Sequence, residues 1–144
     1  MESLIDELLP IAREVLKDSR AEAKGSKSGI WNQNSIIEIY ENYTAAFPVM
    51  IDQMGLRTVV AIYNVSDSSK SDGDKKLILQ LLFKILTKGN LSESVYPDFL
   101  SLVNAIMDDQ TGSIVNFYEE YFSDAAIALK RAIRTFPLTK KTGS

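Results

Sequence analysis

Apolar residues recur at helical spacing along most of the chain. In the first segment, Glu2 to about Lys24, the positions Leu4, Ile5, Leu8, Ala12, Val15 and Leu16 share one side of a helix. Ser3 is placed to cap its start, with Asp6 where a capping box has its acid. Pro10 conflicts with this pattern, because an interior proline removes a hydrogen bond and crowds the preceding turn; a kink or a restart near Leu9 is expected. Gly25 to Gly29 reads as a flexible loop. A second helix is predicted from Asn34 or Ser35 to Ala46, with Ile36, Ile37, Tyr40, Tyr43 and Phe47 as its apolar stripe. Pro48 then kinks it or starts a new turn that ends at Gly55. The run Thr58 to Tyr63 has strand propensity, yet no partner strand with a hairpin turn follows, so Leu56 to Val65 is read as a buried helix.

Ser66 to Asp74 is polar and predicts a loop. Lys75 to Lys88 is a clear helix, with Leu77, Ile78, Leu81, Leu82, Ile85 and Leu86 inside and Gly89-Asn90 as its stop. A short helix follows from about Pro97 to Met107, then a turn from Asp108 to Gly112, then a long helix from Ser113 to about Phe136. The pattern predicts an all-α protein: a compact bundle of five to seven helices without a sheet. It divides the chain into one helical domain over residues 1–137, which Pro137 closes, and a disordered tail over residues 138–144.

Composition narrows the chemistry. Apolar residues make up 45% of the 144 residues, enough for a real core. No apolar run is long enough to cross a membrane, and no basic region followed by an apolar core opens the chain, so a cytoplasmic protein without membrane contact is expected. The chain has neither cysteine nor histidine. Disulfides, ordinary zinc sites and Ser-His-Asp or Cys-His catalysis are therefore excluded. General acid–base chemistry loses its commonest residue, so no enzyme activity and no cofactor are expected. Carboxylate chemistry alone remains as a distant alternative.

The motifs that remain are weak. Asp67 to Asp74 superficially resembles a calcium loop, but its ligand positions fall on Ser68, Lys70 and Asp72, and the bidentate acid position is Leu79. Asp108-Asp109, and the group Glu119, Glu120 and Asp124, read as turn and helix-surface acids rather than metal ligands. Trp31, the one tryptophan, reads as loop or core packing rather than as a base-stacking platform. Leu100, Val103 and Phe117 read as core, with subunit contact as the alternative.

Charge adds one positive signal. The net charge of −3 argues against autonomous tight binding to nucleic acid, but it leaves room for a basic face. Arg13, Lys17, Arg20, Lys24 and Lys27 are spaced by four and three, and on a helix they fall within an arc of roughly 80°. Such a face can track a phosphate backbone without reading sequence. The competing reading is a solvated face that compensates the helix dipole, since Glu2 and Asp6 occupy its other end. Lys130, Arg131 and Arg134 form a second cluster, opposite Ala125, Ala126, Leu129, Ala132, Ile133 and Phe136, with the same two readings. Arg57 alone carries little weight.

One stretch is specific: Tyr40, Tyr43, Phe47-Pro48-Val49-Met50-Ile51, Gly55-Leu56, Val59 and Ala61-Ile62-Tyr63. It resembles the central signature of the small helical subunit of Type III-B CRISPR RNA-guided effector complexes, the fifth protein of the Cmr module. The last helix, with Leu129-Lys130-Arg131, is similar to that family's C-terminal helix. Three features differ from the family pattern: Met54 before the glycine, Leu129 where a tryptophan is common, and Leu9-Pro10 in the first helix. The resemblance implies a non-catalytic scaffold that stacks with copies of itself alongside the other effector subunits in antiviral defence. It also implies contact with guide and target RNA through basic side chains, for which Arg13, Lys17, Arg20, Lys24, Lys130, Arg131 and Arg134 are the candidates. The alternatives are a helical protein–protein adaptor without an RNA role, or the small subunit of a Type III-A complex.

Overall fold

The computed structural model describes residues 4–22, 29–64, 74–91 and 96–140. Six helices and one small sheet are found among them. The elements run α1 (Leu4–Glu22), β1 (Trp31–Asn32), β2 (Ser35–Ile37), α2 (Glu38–Met54), α3 (Leu56–Asn64), α4 (Lys75–Lys88), α5 (Phe99–Met107), α6 (Ser113–Ile133) and β3 (Leu138–Thr139). The protein is a helical bundle, as the apolar periodicity predicts.

The long helix α6 is the axis of the bundle. It packs most extensively against α1 on one side and α2 on the other, and α3, α4 and α5 complete the packing. Small residues make this close approach feasible: Ala125, Ala126, Ala128 and Ala132 are fully buried along α6. Leu8, Ala12, Val15 and Leu16 are the buried stripe of α1, and Ile78, Leu79, Leu82, Ile85 and Leu86 that of α4. Gly89, just past α4, sits where α1 crosses. A β-carbon there would lie 3.0 Å from Leu8 Cδ2 and 3.1 Å from the Ile85 carbonyl oxygen.

Several helix boundaries have a local cause. Asp74 caps α4 by accepting from the Lys76 N–H at 3.0 Å, and Asp98 caps α5 by accepting from the Ser101 N–H at 2.8 Å. These backbone and side-chain bonds from Ser101 hold the Asp98 carboxyl below the usual range. Gly55 ends α2 with φ 84°, a conformation that only glycine adopts without strain. The first N–H of α3, on Leu56, donates to the Glu119 carboxylate at 3.2 Å. Asp109 is buried and serves the start of α6: its carboxylate accepts from the N–H groups of Val115 and Gly112 at 3.0 and 3.2 Å. The Val115 bond is the largest cause of its lowered pKa. Both acids are thus helix-end residues, and so is Arg57. Arg57 donates from Nε to the Ile106 carbonyl at 3.2 Å and from a terminal nitrogen to the Asp109 carbonyl, closing the C-terminus of α5.

Three expectations need correction. Ser35 to Ile37 are strand rather than helix, so α2 starts at Glu38 and carries no side-chain cap. β2 pairs antiparallel with β1 through a two-residue turn and parallel with β3, in the order β1-β2-β3. Pro137 does not end the ordered chain. Its carbonyl accepts from the Ile36 N–H at 2.8 Å and leads into β3, so the tail expected from residue 138 begins as a paired strand. Pro10 and Pro48 lie inside α1 and α2, so neither helix restarts at its proline. Pro10 and Asp6, one turn before it, are both exposed, so water can reach the carbonyl that the proline cannot serve. Ser3, residues 23–28 of the glycine loop and the calcium-like loop before Asp74 lie outside the described residues. Leu79, which would have been the bidentate position of that loop, is buried.

Candidate nucleic-acid interface

The family-like stretch supplies much of the core, although Val49 within it is exposed. Tyr40, Phe47, Ile51, Leu56, Val59 and Tyr63 are buried. Phe47 meets Tyr63 edge-on at 5.0 Å and lies 6.2 Å from Phe122 of α6. The Tyr63 hydroxyl donates to the Tyr43 carbonyl at 2.6 Å, and burial, with Tyr43 nearby, pushes its pKa up to about 12. The Tyr40 hydroxyl accepts from the Asp74 N–H at 3.0 Å, which ties the start of α4 to α2. Lys75 lies over the rings of Tyr43 and Tyr63 at 5.4 and 5.6 Å.

The cationic candidates lie elsewhere, at the end of the molecule where α1, the end of α6 and the small sheet meet. Arg13 donates from Nε to Thr135 Oγ1 at 3.0 Å, and its guanidinium lies 5.1 Å above the Phe136 ring. Thr135 is held in turn by donation from its hydroxyl to the Ala132 carbonyl at 2.7 Å. Arg20 lies 5.6 Å above the Trp31 ring. Trp31 and Phe136 pack edge-to-face at 5.2 Å, and the indole N–H donates to the Leu16 carbonyl at 3.1 Å. Trp31 is therefore packed, as its loop position suggests, and it becomes part of the floor beneath the arginines. Each cation–ring pair stabilises by about 0.5–1 kcal/mol at a solvent-facing site.

This arrangement joins two clusters that are far apart in sequence. Arg13 reaches Thr135, which follows Arg134 directly and lies one turn beyond Arg131. Lys17, between Arg13 and Arg20, is exposed, and so is Arg131. Lys130 is half-buried. Arg134 turns the other way and pairs with Glu41 at the start of α2, 3.0 Å away, which offsets its charge. Lys24 and Lys27 lie outside the described residues.

Two acids of α1 are kept off this face. Glu14 and Asp18 lie on the neighbouring side and both pair with Lys88 of α4, at 3.1 and 3.0 Å. Hydrogen bonds to Asp18 and then Glu14 raise the Lys88 pKa. The stripe on α1 is thus a built surface rather than a row of free lysines and arginines. Sequence reasoning missed Phe136, Thr135 and Glu41. Only the aromatic identity of Phe136 close to a basic run could have signalled the first. The pairing of Arg134 with Glu41 has no sequence signal, because the two lie on different helices.

Other chemistry is sparse. Among the described residues no group of three or more Asp and Glu is close enough to hold a metal ion, and no helix is long and apolar enough to cross a membrane. Burial, then Glu120, raises the Asp124 pKa, while Glu119 is committed to α3.

Fold and surface together define a small helical-bundle protein with a cation-rich end and a dense aromatic core. The model of the family described as CRISPR-associated protein (Cas_Cmr5) matches residues 20–134, and the chain belongs to that family, as the Tyr40 to Tyr63 resemblance implies. It is a CRISPR-associated Cmr subunit, a member of an effector complex that includes other subunits. Comparison with curated proteins and with solved structures gives no match.

Proposed function

We propose that this chain is a non-catalytic scaffold subunit of a Type III-B effector, stacking with copies of itself in the cytoplasmic complex and touching the guide or target RNA backbone through its cationic end. The observation that carries the reading is the meeting of the α1 stripe with the end of α6 in a member of the Cmr5 family. A chain of net charge −3 with one local basic face suits a protein that grips RNA only when neighbouring subunits supply the rest of the site. Absence of histidine and cysteine supports a role without chemistry of its own. Of the seven candidates, Arg13, Lys17, Arg20 and Arg131 carry the reading best. Arg134 is assigned to holding α2, and Lys130 and Lys24 remain candidates of lower weight.

The test is reconstitution with the cognate subunits and guide RNA, using the parent chain and a variant with Arg13, Lys17, Arg20 and Arg131 all changed to Ala. Both are expected to incorporate. The variant should bind target RNA more weakly, and its log–log salt slope should fall by about 0.7–0.9 for each phosphate that is no longer neutralised. Incorporation with unchanged RNA binding would remove the RNA role from this face. Failure of the parent chain to incorporate would sink the scaffold reading.

A second reading, a helical adaptor without RNA contact, rests on the exposed apolar side chains Leu100, Met107 and Phe117 of α5 and α6, which are 62%, 38% and 43% exposed. Val103, considered with them as a contact residue, is buried. Incorporation that survives the quadruple change but is abolished by Leu100→Asp and Phe117→Asp, with no RNA effect of the basic residues, would favour it.

A further inference from the structure

We infer that Arg13 and Arg20 act as a pre-oriented pair of guanidinium forks for the phosphodiester groups of RNA, and that guanidinium shape, not charge alone, is what the site uses. The inference rests on the RNA reading above and deepens it. Both side chains are already placed before any ligand arrives. Arg13 is fixed at Nε by Thr135 Oγ1 and lies on the Phe136 ring, while Arg20 lies on the Trp31 ring. The two rings are locked against each other edge-to-face at 5.2 Å, and the indole is pinned to the Leu16 carbonyl. The floor therefore cannot tilt independently under either arginine.

The terminal N–H groups of a guanidinium form a planar fork that matches two oxygens of a phosphate. Among the described residues Arg13 is hydrogen-bonded through Nε alone, and its terminal nitrogens face no ion-pair partner there. The two arginines are separated by two helical turns, about 10.5 Å along α1, with exposed Lys17 between them. Successive phosphates of one strand can thus meet a fork, an ammonium and a second fork. Three nearby carboxylates are engaged elsewhere: Glu14 and Asp18 are bound to Lys88, and Glu41 to Arg134. Fixing long side chains in advance removes an ordering cost that lysines on the same helix would bear on binding.

The experiment compares three variants in the reconstituted complex with target RNA: the double Arg13→Lys/Arg20→Lys, the double Arg13→Ala/Arg20→Ala, and Phe136→Leu. Circular dichroism and thermal unfolding check that each chain folds. The expected result is about a tenfold weaker target binding for the double lysine variant, with the parent's salt slope, because no charge is removed. The double alanine variant should bind at least as weakly and with a shallower slope. Phe136→Leu, which keeps apolar volume but removes the ring under Arg13, should reproduce part of the lysine effect. Parent-like binding by the double lysine variant, with weak binding by the alanine variant, would overturn the fork inference while leaving RNA contact standing. Parent-like binding by both would overturn the RNA reading of this face as well. Loss of incorporation in the lysine variant would assign the forks to a carboxylate-bearing neighbouring subunit and overturn the RNA assignment.

Discussion

The aromatic centre around Phe47 and the cationic end around Trp31 are built from similar parts with opposite outcomes. Both use edge-to-face ring pairs with cations above them: Lys75 over Tyr43 and Tyr63 in one case, Arg13 and Arg20 over Phe136 and Trp31 in the other. In the centre the rings are enclosed by α2, α3 and α6, and the Tyr63 and Tyr40 hydroxyls have backbone partners. At the cationic end the rings form a floor and the charges face outward. Family resemblance is written in the first region because packing tolerates few substitutions. The proposed work is written in the second, on side chains that reach solvent. A residue that marks the family therefore need not touch anything the family binds.

That contrast can be broken by substitutions that affect one region and spare the other. Phe47→Ala should be the most damaging, costing about 3–5 kcal/mol in chemical denaturation, because it empties a fully buried site between Tyr63 and Phe122. Gly55→Ala should cost about 1–2 kcal/mol in the same assay, since its φ of 84° is open only to glycine and there is space, but no relief, around the added carbon. Tyr63→Phe removes one buried hydrogen bond and should cost about 1 kcal/mol near neutral pH. Its pH dependence is a sharper test. The folded pKa of Tyr63 is raised, so its neutral hydroxyl contributes fully below the unfolded value of 10.0 and that contribution is lost as pH climbs toward about 12. Stability measured from pH 9 to 12 should fall more gently for Tyr63→Phe than for the parent. Arg131→Ala should change stability least, by under about 0.5 kcal/mol, yet weaken RNA binding in the assembled complex. A stability loss comparable to that of Phe47→Ala would mean that Arg131 is a packing residue and would erase the distinction.

Helix content was legible because its signal is long and repeated. Lys75 to Lys88 presents seven buried apolar positions in one short helix, and even the strand-like Thr58 to Tyr63 run yields to its setting. The small sheet was not legible, for two physical reasons. Its strands are two or three residues long, too short to show alternation, and its hairpin turn places Gln33, rather than a glycine or asparagine, at φ 57°. The pairing of Ile36 with Leu138 spans most of the chain, so no local pattern encodes it. At the candidate site the basic stripe could be read from spacing alone. Which cations are offset could not, because Glu41 meets Arg134, and Lys88 meets Glu14 and Asp18, only through tertiary packing.

The place of α6 in both sequence and space also bears on how the chain emerges from the ribosome. The bundle's axis is the last of the described helices, so α1 to α5 are synthesised before the helix that α1 and α2 pack against most. α3 is the extreme case: at nine residues it is too short to persist alone, and its first N–H depends on Glu119, which has yet to be made. Productive folding must therefore wait for the C-terminal third, and α3 should be among the last segments to gain amide-exchange protection in a pulse-labelled refolding reaction.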